Sequence, residues 1–178
     1  MATMLRIPAV QEYNRLVDVT GGDDTKMHWR HIFSWVNDTE DEFKLGAVLR
    51  AVYGCDSPDL RFNGYIAARY EGVGFRPACG LTTETKFPEG KRVVMGTLYM
   101  AGKPVKVPQN PTADGDITAY IPGSKLEMWG PLDDPDYQVM GYRVGNAVVA
   151  DRCLLTMISY KDIEKHSSGR RGAECLPR

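Results

Sequence analysis

The sequence has no long apolar run, no strong excess of charge of one sign and no paired cysteine motif. No window approaches the roughly 20 apolar residues of a membrane-spanning helix, so any membrane contact is expected to be peripheral. The 22 Lys and Arg residues nearly balance the 23 Asp and Glu residues, for a net charge of −1. That balance argues against a chain-wide affinity for nucleic acid. The four cysteines contain no C-x-x-C pair, which argues against a zinc site.

Residues suited to catalysis are also scarce. Of the three histidines, His28 and His31 lie three positions apart on a predicted strand, so they point to opposite faces and cannot share a metal. The acidic run around Pro135 does not have the spacing of a calcium loop, and Gly72-Val73-Gly74 is only a fragment of a phosphate loop. We therefore predict no catalytic residue, no metal, no cofactor and no specific small-molecule substrate. A small enzyme with an unrecognised site remains the alternative.

The composition is that of one globular domain. The chain has 178 residues, of which 43% are hydrophobic and 25% charged. We predict an α+β fold in which a mostly antiparallel sheet of about six or seven strands packs against one capped helix. The helix is predicted at about residues 39–53, because Thr39 to Glu42 has the form of a capping box and Val48, Leu49 and Val52 follow at helical spacing.

Alternating or apolar segments predict the strands. They cover residues 26–36, 60–70, 91–100 and 116–121, followed by a hairpin in which Gly145-Asn146 joins residues 137–144 to residues 147–160. Long loops are expected at residues 71–90 and 122–136. We predict a flexible N-terminal arm over residues 1–25, a globular domain over 26–161 and a basic, disordered tail over 162–178.

Contact residues are better represented than catalytic ones. The apolar residues Leu5, Ile7, Pro8 and Val10 form an extended segment that is a candidate for docking on a second copy, with packing against its own domain as the alternative. In the two predicted loops, Phe75, Leu81, Met128 and Trp129 are candidates for membrane or partner contact, with capping of the core as the alternative. Tyr13-Asn14-Arg15-Leu16 also fits a Y-x-x-L sorting pattern.

The order of motifs resembles that of one viral family. An aromatic strand from Trp29 to Trp35 comes first, followed by the predicted helix from Phe43 to Tyr53 and a strand from Asn63 to Tyr70. Ala119-Tyr120-Ile121-Pro122 then ends a later predicted strand. The run from Leu154 to Tyr160 then closes the predicted hairpin. Over roughly residues 26–161 the chain resembles the globular domain of rhabdovirus matrix proteins. The chain lacks the lysine-rich N-terminus and P-P-x-Y motif of animal-virus members, and its short length is similar to that of the plant-infecting, cytorhabdovirus-like branch.

The resemblance implies a structural, non-enzymatic protein of the virion. Such a protein forms a homopolymer around the helical nucleocapsid, condenses it and bridges it to the envelope, where a glycoprotein tail and anionic membrane are further partners. It implies a position beneath the envelope and, in the host, in the cytoplasm and at the inner membrane surface. Under this interpretation the basic residues Lys161, Lys165, Arg170 and Arg171 are candidates for nucleocapsid contact, with a solvated tail as the alternative. A viral RNA-binding accessory protein, such as a silencing suppressor or movement factor, is the rival function.

Overall fold

The computed structural model describes residues 5–37, 42–44, 47–81, 88–111 and 115–167. The predicted α+β class, with a mostly antiparallel sheet and few helices, is confirmed. The described strands form two sheets rather than one, of seven and six strands.

The elements, in chain order, are α1 (Val10–Thr20), β1 (Phe33–Trp35), β2 (Glu42–Lys44), β3 (Ala47–Gly54), β4 (Arg61–Tyr65), β5 (Val73–Phe75), β6 (Ala78–Gly80), β7 (Arg92–Met100), β8 (Lys103–Pro104), β9 (Thr118–Ala119), β10 (Leu126–Trp129), β11 (Val139–Val144), β12 (Ala147–Ala150), β13 (Leu155–Thr156) and α2 (Tyr160–Ser167).

Most strand pairs are antiparallel, and strands distant in sequence lie side by side. The first sheet has the order β2-β3-β1-β5-β13-β9, with β4 also paired to β3. The second has the order β10-β7-β11-β12-β6, with β8 also paired to β7. Two pairs in the first sheet are parallel, β1 with β5 and β13 with β9.

One hydrophobic core draws on both sheets. It contains Trp35 and Phe75 from the first sheet together with Leu98 and Met128 from the second, all at most 1% exposed. The indole nitrogen of Trp35 donates a hydrogen bond to the carbonyl of Ile158 at 2.8 Å, so the ring is both buried and satisfied. A second cluster lies beneath α1, where Tyr13 and Leu16 are fully buried.

The prediction of a helix at residues 39–53 is wrong, because β2 and β3 occupy its described part. The apolar spacing of Val48, Leu49 and Val52 also fits a strand that is buried on both faces, and short apolar runs do not separate the two possibilities. β3 pairs with β4 along one edge and with β1 and β2 along the other. This pairing on both sides outweighs the local helix signal. The Thr39–Asp41 part of the predicted cap lies outside the described residues.

The two predicted long loops are also wrong in part. The segment from 71 to 90 contains β5 and β6, and the segment from 122 to 136 contains β10. These strands have only three or four residues, which is too short for alternation to stand out beside glycines and prolines. By contrast, the hairpin around Gly145-Asn146 is confirmed as far as Ala150, and Gly145 has the positive φ (58°) that the turn requires. The predicted second strand extended to Tyr160, but Leu155 and Thr156 form β13 of the first sheet and Tyr160 begins α2.

The ends of the fold differ from the predicted boundaries. The region expected to be an arm contains α1, which ends at Gly21 in the left-handed conformation with φ 66°. The region expected to be a disordered tail begins inside α2. Here the backbone amide of Asp162 donates to Ser159 Oγ at 3.0 Å, and the amide of Ser159 donates to Asp162 Oδ2 at 2.9 Å. This reciprocal pair is a capping box, and it starts the helix.

Candidate contact surfaces

The N-terminal segment proposed for docking on a second copy lies within its own domain. Leu5 and Ile7 are 2% and 5% exposed and belong to the main core. Arg6 exchanges two backbone hydrogen bonds of 3.0 Å with Ala78, and the carbonyl of Pro8 accepts one from Asn37 at 2.7 Å. Val10 packs, half-buried, against the cluster beneath α1. The segment is thus an integral part of the described fold, because these bonds hold it on two sides.

Of the four residues predicted for membrane or partner contact, Trp129 is the most exposed. Phe75 and Met128 are core residues, and Leu81 is half-buried against the core. Because side chains alternate along a strand, β10 turns Met128 inward and Trp129 outward, and Trp129 is 40% exposed. Leu132, 37% exposed, lies nearby, since its amide donates to the hydroxyl of Thr97, the residue paired with Trp129. We refer to Trp129 and Leu132 as the Trp129 patch.

The first sheet exposes different apolar side chains. Phe62 on β4 is 55% exposed and contacts the half-buried ring of Phe33, edge to face, at 5.6 Å between centroids. We refer to these two residues as the Phe62 patch. Farther along the same sheet, Ile121 and Met157 are 60% and 37% exposed. None of these four residues is a contact residue predicted from the sequence. They were missed because nothing in a single sequence separates an exposed aromatic from a buried one.

Helix α2 carries the two described residues of the predicted nucleocapsid contact. Lys161 and Lys165 are exposed and lie one turn apart on the same side of the helix. Arg170 and Arg171 lie outside the described residues. Asp162, on the inner side, accepts two hydrogen bonds from Arg69, at 2.7 and 2.8 Å. Burial acts to raise the pKa of Asp162, but the bonds from Arg69 and Ser159 outweigh it and hold the pKa at about 2.

His166 joins the end of α2 to the second sheet. Its Nδ1 accepts a hydrogen bond from the amide of Leu126 at the start of β10, at 3.3 Å. Partial burial lowers the pKa of His166, and the ammonium groups of Lys165 and Lys125 lower it further, although a hydrogen bond to the Ser124 backbone and the charge of Asp162 partly oppose this shift. The helix therefore presents lysines outward while a neutral histidine holds it against the strand.

A buried arginine links the two sheets. Arg76 is fully buried, and its guanidinium donates to the Ala150 carbonyl at 2.9 Å, to Ser34 Oγ at 3.2 Å and to the His28 carbonyl. Ser34 Oγ also lies 3.2 Å from Cys153 Sγ. Burial raises the pKa of the Cys153 thiol, which disfavours the reactive thiolate. This cluster is therefore suited to holding the core together.

The Y-x-x-L pattern is not available to a sorting receptor in this fold. Tyr13 and Leu16 are both 0% exposed, and the Tyr13 hydroxyl donates to the carbonyl of Pro58 at 2.7 Å. Burial raises the pKa of Tyr13, as expected for a phenol inside a core. The pattern in this chain encodes packing of α1.

In two open clefts of the described structure, salt bridges occupy charged groups. One, of about 380 Å³, lies between the N-terminal segment and α2, where Arg6 bonds to Glu12. The other, of about 250 Å³, contains the buried carboxylate of Asp151 between Arg92 and Arg152. No group of three or more His, Cys, Asp or Glu side chains in the described ranges is arranged to hold a metal ion.

Among the described helices, none has the length and apolar character needed to cross a membrane. A comparison of the chain with protein-family models, with curated proteins and with solved structures finds no match to any of them.

Proposed function

We propose that this chain is a viral matrix protein, a structural and non-enzymatic component of the virion. It self-assembles around the helical nucleocapsid, condenses it and bridges it to the envelope during assembly and budding. In this proposal the protein lies beneath the envelope in the virion, and in the host cytoplasm and at the inner membrane surface during infection.

One observation supports this proposal most directly. The two segments that carry the rhabdovirus resemblance most specifically, Ala119 to Pro122 and Leu154 to Tyr160, are neighbours in the fold although they are distant in sequence. β13 pairs in parallel with β9, and the amide of Tyr120 donates to the carbonyl of Thr156 at 2.8 Å. These two segments of the resemblance therefore form one structural unit, whereas the family's helix, matched to Phe43–Tyr53, is replaced here by β2 and β3.

Self-assembly needs surfaces that one copy presents to the next. The Phe62 patch and the Trp129 patch lie on different sheets and differ in composition. Two unlike surfaces that meet head to tail generate an open filament, whereas one surface that meets its own copy closes a dimer. Contacts of this size are weak singly and become effectively permanent when repeated along a nucleocapsid.

The N-terminal segment is a less suitable connector than the sequence suggests. For Leu5 and Ile7 to dock on another copy, both must leave their own core, at a cost of roughly 1.5–3 kcal/mol each. The exposed patches need no such rearrangement. The proposal therefore assigns self-association to the patches.

Electron microscopy of the concentrated, purified protein tests the proposal directly, and filaments are expected. Phe62→Glu and Trp129→Glu should each abolish filaments, because each places a charge in a contact that must exclude water. Mixed in equal amounts, the two variants should form dimers and grow no further, since each retains one intact patch. Sedimentation velocity measures the species present.

The matched control is Tyr65→Glu. Tyr65 is 39% exposed on the same strand as Phe62 but on its opposite face, so this variant should still form filaments. Wild-type protein that stays monomeric at high concentration, both alone and with nucleocapsids, would refute the proposed function. Closed dimers of either single variant would refute the head-to-tail arrangement alone.

The other partners follow from the same proposal. Lys161 and Lys165 are assigned to the nucleocapsid, and an envelope component such as a glycoprotein tail or an anionic membrane is proposed as a further partner. Arg170 and Arg171 follow α2 in the sequence and add to the positive charge of that end of the chain.

A further inference from the structure

Four lysines from three separate parts of the chain surround the contact between α2 and β10. Lys161 and Lys165 belong to α2, Lys125 immediately precedes β10, and Lys103 begins β8; all four are exposed. We refer to these four residues as the lysine surface.

The fold brings these lysines together through two hydrogen bonds. The amide of Leu126 donates a hydrogen bond to His166 Nδ1. Lys125 precedes Leu126 and Lys165 precedes His166 in the sequence, so this bond makes the two lysines neighbours. The amide of Ala101, in the turn between β7 and β8, donates to the carbonyl of Lys125 at 2.9 Å. Lys103 lies two residues beyond Ala101, one strand away from the start of β10, because β7 runs between β8 and β10.

The positive charge of this surface is only partly balanced. Among the described residues, no ion pair involves Lys103, Lys161 or Lys165. Lys125 lies 3.7 Å from a carboxylate oxygen of Glu127, yet its side chain remains 74% exposed. Asp162 is engaged by Arg69, so Glu127 and Glu164 are the nearby carboxylates that oppose four ammonium groups. A chain of net charge −1 thus concentrates positive charge at one place.

We propose that the lysine surface binds the phosphate backbone of RNA without sequence preference. This inference rests on the proposed function in one respect, since it names RNA phosphate as the part of the nucleocapsid that the protein contacts. Lysines are compact charges on flexible stems, which suits phosphates at variable positions. Phosphate contacts of this kind position a protein on nucleic acid and carry no sequence information.

The composition of the surface favours RNA over a lipid bilayer. Surface binding to membranes relies on a broad apolar face beside the basic one. Three exposed large apolar residues, Ile121, Trp129 and Met157, each lie four positions in sequence from one of these lysines, but they end or follow three different strands. The exposed Trp129 lies at the other end of β10.

The experiment measures fluorescence anisotropy of a labelled oligouridylate as full-length protein is added, at several salt concentrations. Lys125→Gln/Lys165→Gln should weaken binding roughly tenfold at low salt, and the slope of log affinity against log salt should fall by about 1.4, as expected for two lost contacts to a single strand. The matched control is Lys26→Gln/Lys91→Gln, which removes the same charge from two exposed lysines outside the lysine surface. The control should bind as the wild type does.

A third variant shifts the affinity in the opposite direction. Glu127→Gln removes the carboxylate beside Lys125 and should tighten RNA binding roughly twofold, as expected for the loss of one exposed ion pair. A general loss of folding cannot produce this increase, so the prediction remains testable if the lysine variants are unstable.

Equal weakening of the double variant and its control would show that net charge matters and the lysine surface does not, which would overturn the inference. So would an absence of RNA binding by a wild-type protein that does bind phosphatidylserine vesicles through the same lysines. The proposed function can fail separately. A protein that forms no filaments but binds RNA as expected, with the expected effects of the lysine variants, would refute the proposed function and still support RNA binding by the lysine surface.

Discussion

Asp162 performs two structural tasks with one carboxylate. One of its oxygens caps the first turn of α2 through the amide of Ser159, and both oxygens accept hydrogen bonds from Arg69 in the segment after β4. The carboxylate is almost completely buried, so its charge must be matched by these donors. A single residue therefore holds both the start of α2 and its attachment to the first sheet.

Replacing Arg69 tests this role. Arg69→Gln should lower the free energy of unfolding at neutral pH, because the buried carboxylate loses two charged hydrogen-bond donors. The pKa of Asp162 is about 2 in the folded protein, below its ordinary 3.8, so its contribution is present above about pH 4 and lost as the pH falls toward 2. Urea unfolding across this range measures the effect. A difference between variant and wild type that stayed constant down to pH 2 would contradict it.

At the scale of elements, sequence patterns identified regular strands and hairpins, but they did not identify very short strands or strands that are buried on both faces. β7 and the β11–β12 hairpin were predictable, because one is a long apolar strand and the other contains a Gly-Asn turn. β5, β6 and β10 have too few residues for a period to appear. The error at residues 39–53 arose because β3 is paired along both edges and has apolar residues on both faces, so its sequence shows no strand alternation.

The candidate contact residues were predictable to a similar degree. Lys161 and Lys165 are exposed as expected, since lysines are seldom buried. Phe75 and Met128 lie inside because they occupy strands that had been taken for loops. The lysine surface had no sequence signal, since Lys103, Lys125 and Lys165 come together only through the pairing of β7 with β10 and the docking of α2.

The docking of α2 on β10 should depend on pH. Burial lowers the pKa of His166, so the folded state favours the neutral imidazole that accepts the Leu126 bond. Burial also lowers the pKa of His28. Stability should therefore fall as the pH drops below about 6.5, where the unfolded chain takes up protons that the folded chain does not. In thermal unfolding scans, His166→Gln should remove part of this decline and His28→Gln/His166→Gln more of it. A wild-type stability that does not change between pH 7 and pH 5 would contradict this.

At the scale of the whole molecule, the two ends of the described chain meet in one core. Leu5 and Ile7 share the main cluster with Tyr160 and Ile163 of α2. Both ends are therefore integral to stability, although the sequence suggested an arm and a tail.

Truncating the N-terminal side chains should consequently destabilise the monomer. Leu5→Ala and Ile7→Ala should each cost roughly 2–5 kcal/mol, the usual penalty for emptying a buried aliphatic site. Guanidinium unfolding measures the loss at a concentration where the protein is monomeric. Arg15→Ala, at an exposed position on α1, is the control and should be nearly neutral. Unchanged stability combined with lost filaments would instead support a role for this segment between copies.

The bond from Trp35 to Ile158 spans 123 positions of the chain. A ribosome adds only about 5–20 residues per second, and a domain of this kind does not close until its last contributors emerge. The indole therefore hydrogen-bonds to water until Ile158 has been synthesised. Synthesis that stops before Ile158 leaves this part of the core open, so the chain must extend past Ile158 before a copy can take part in assembly.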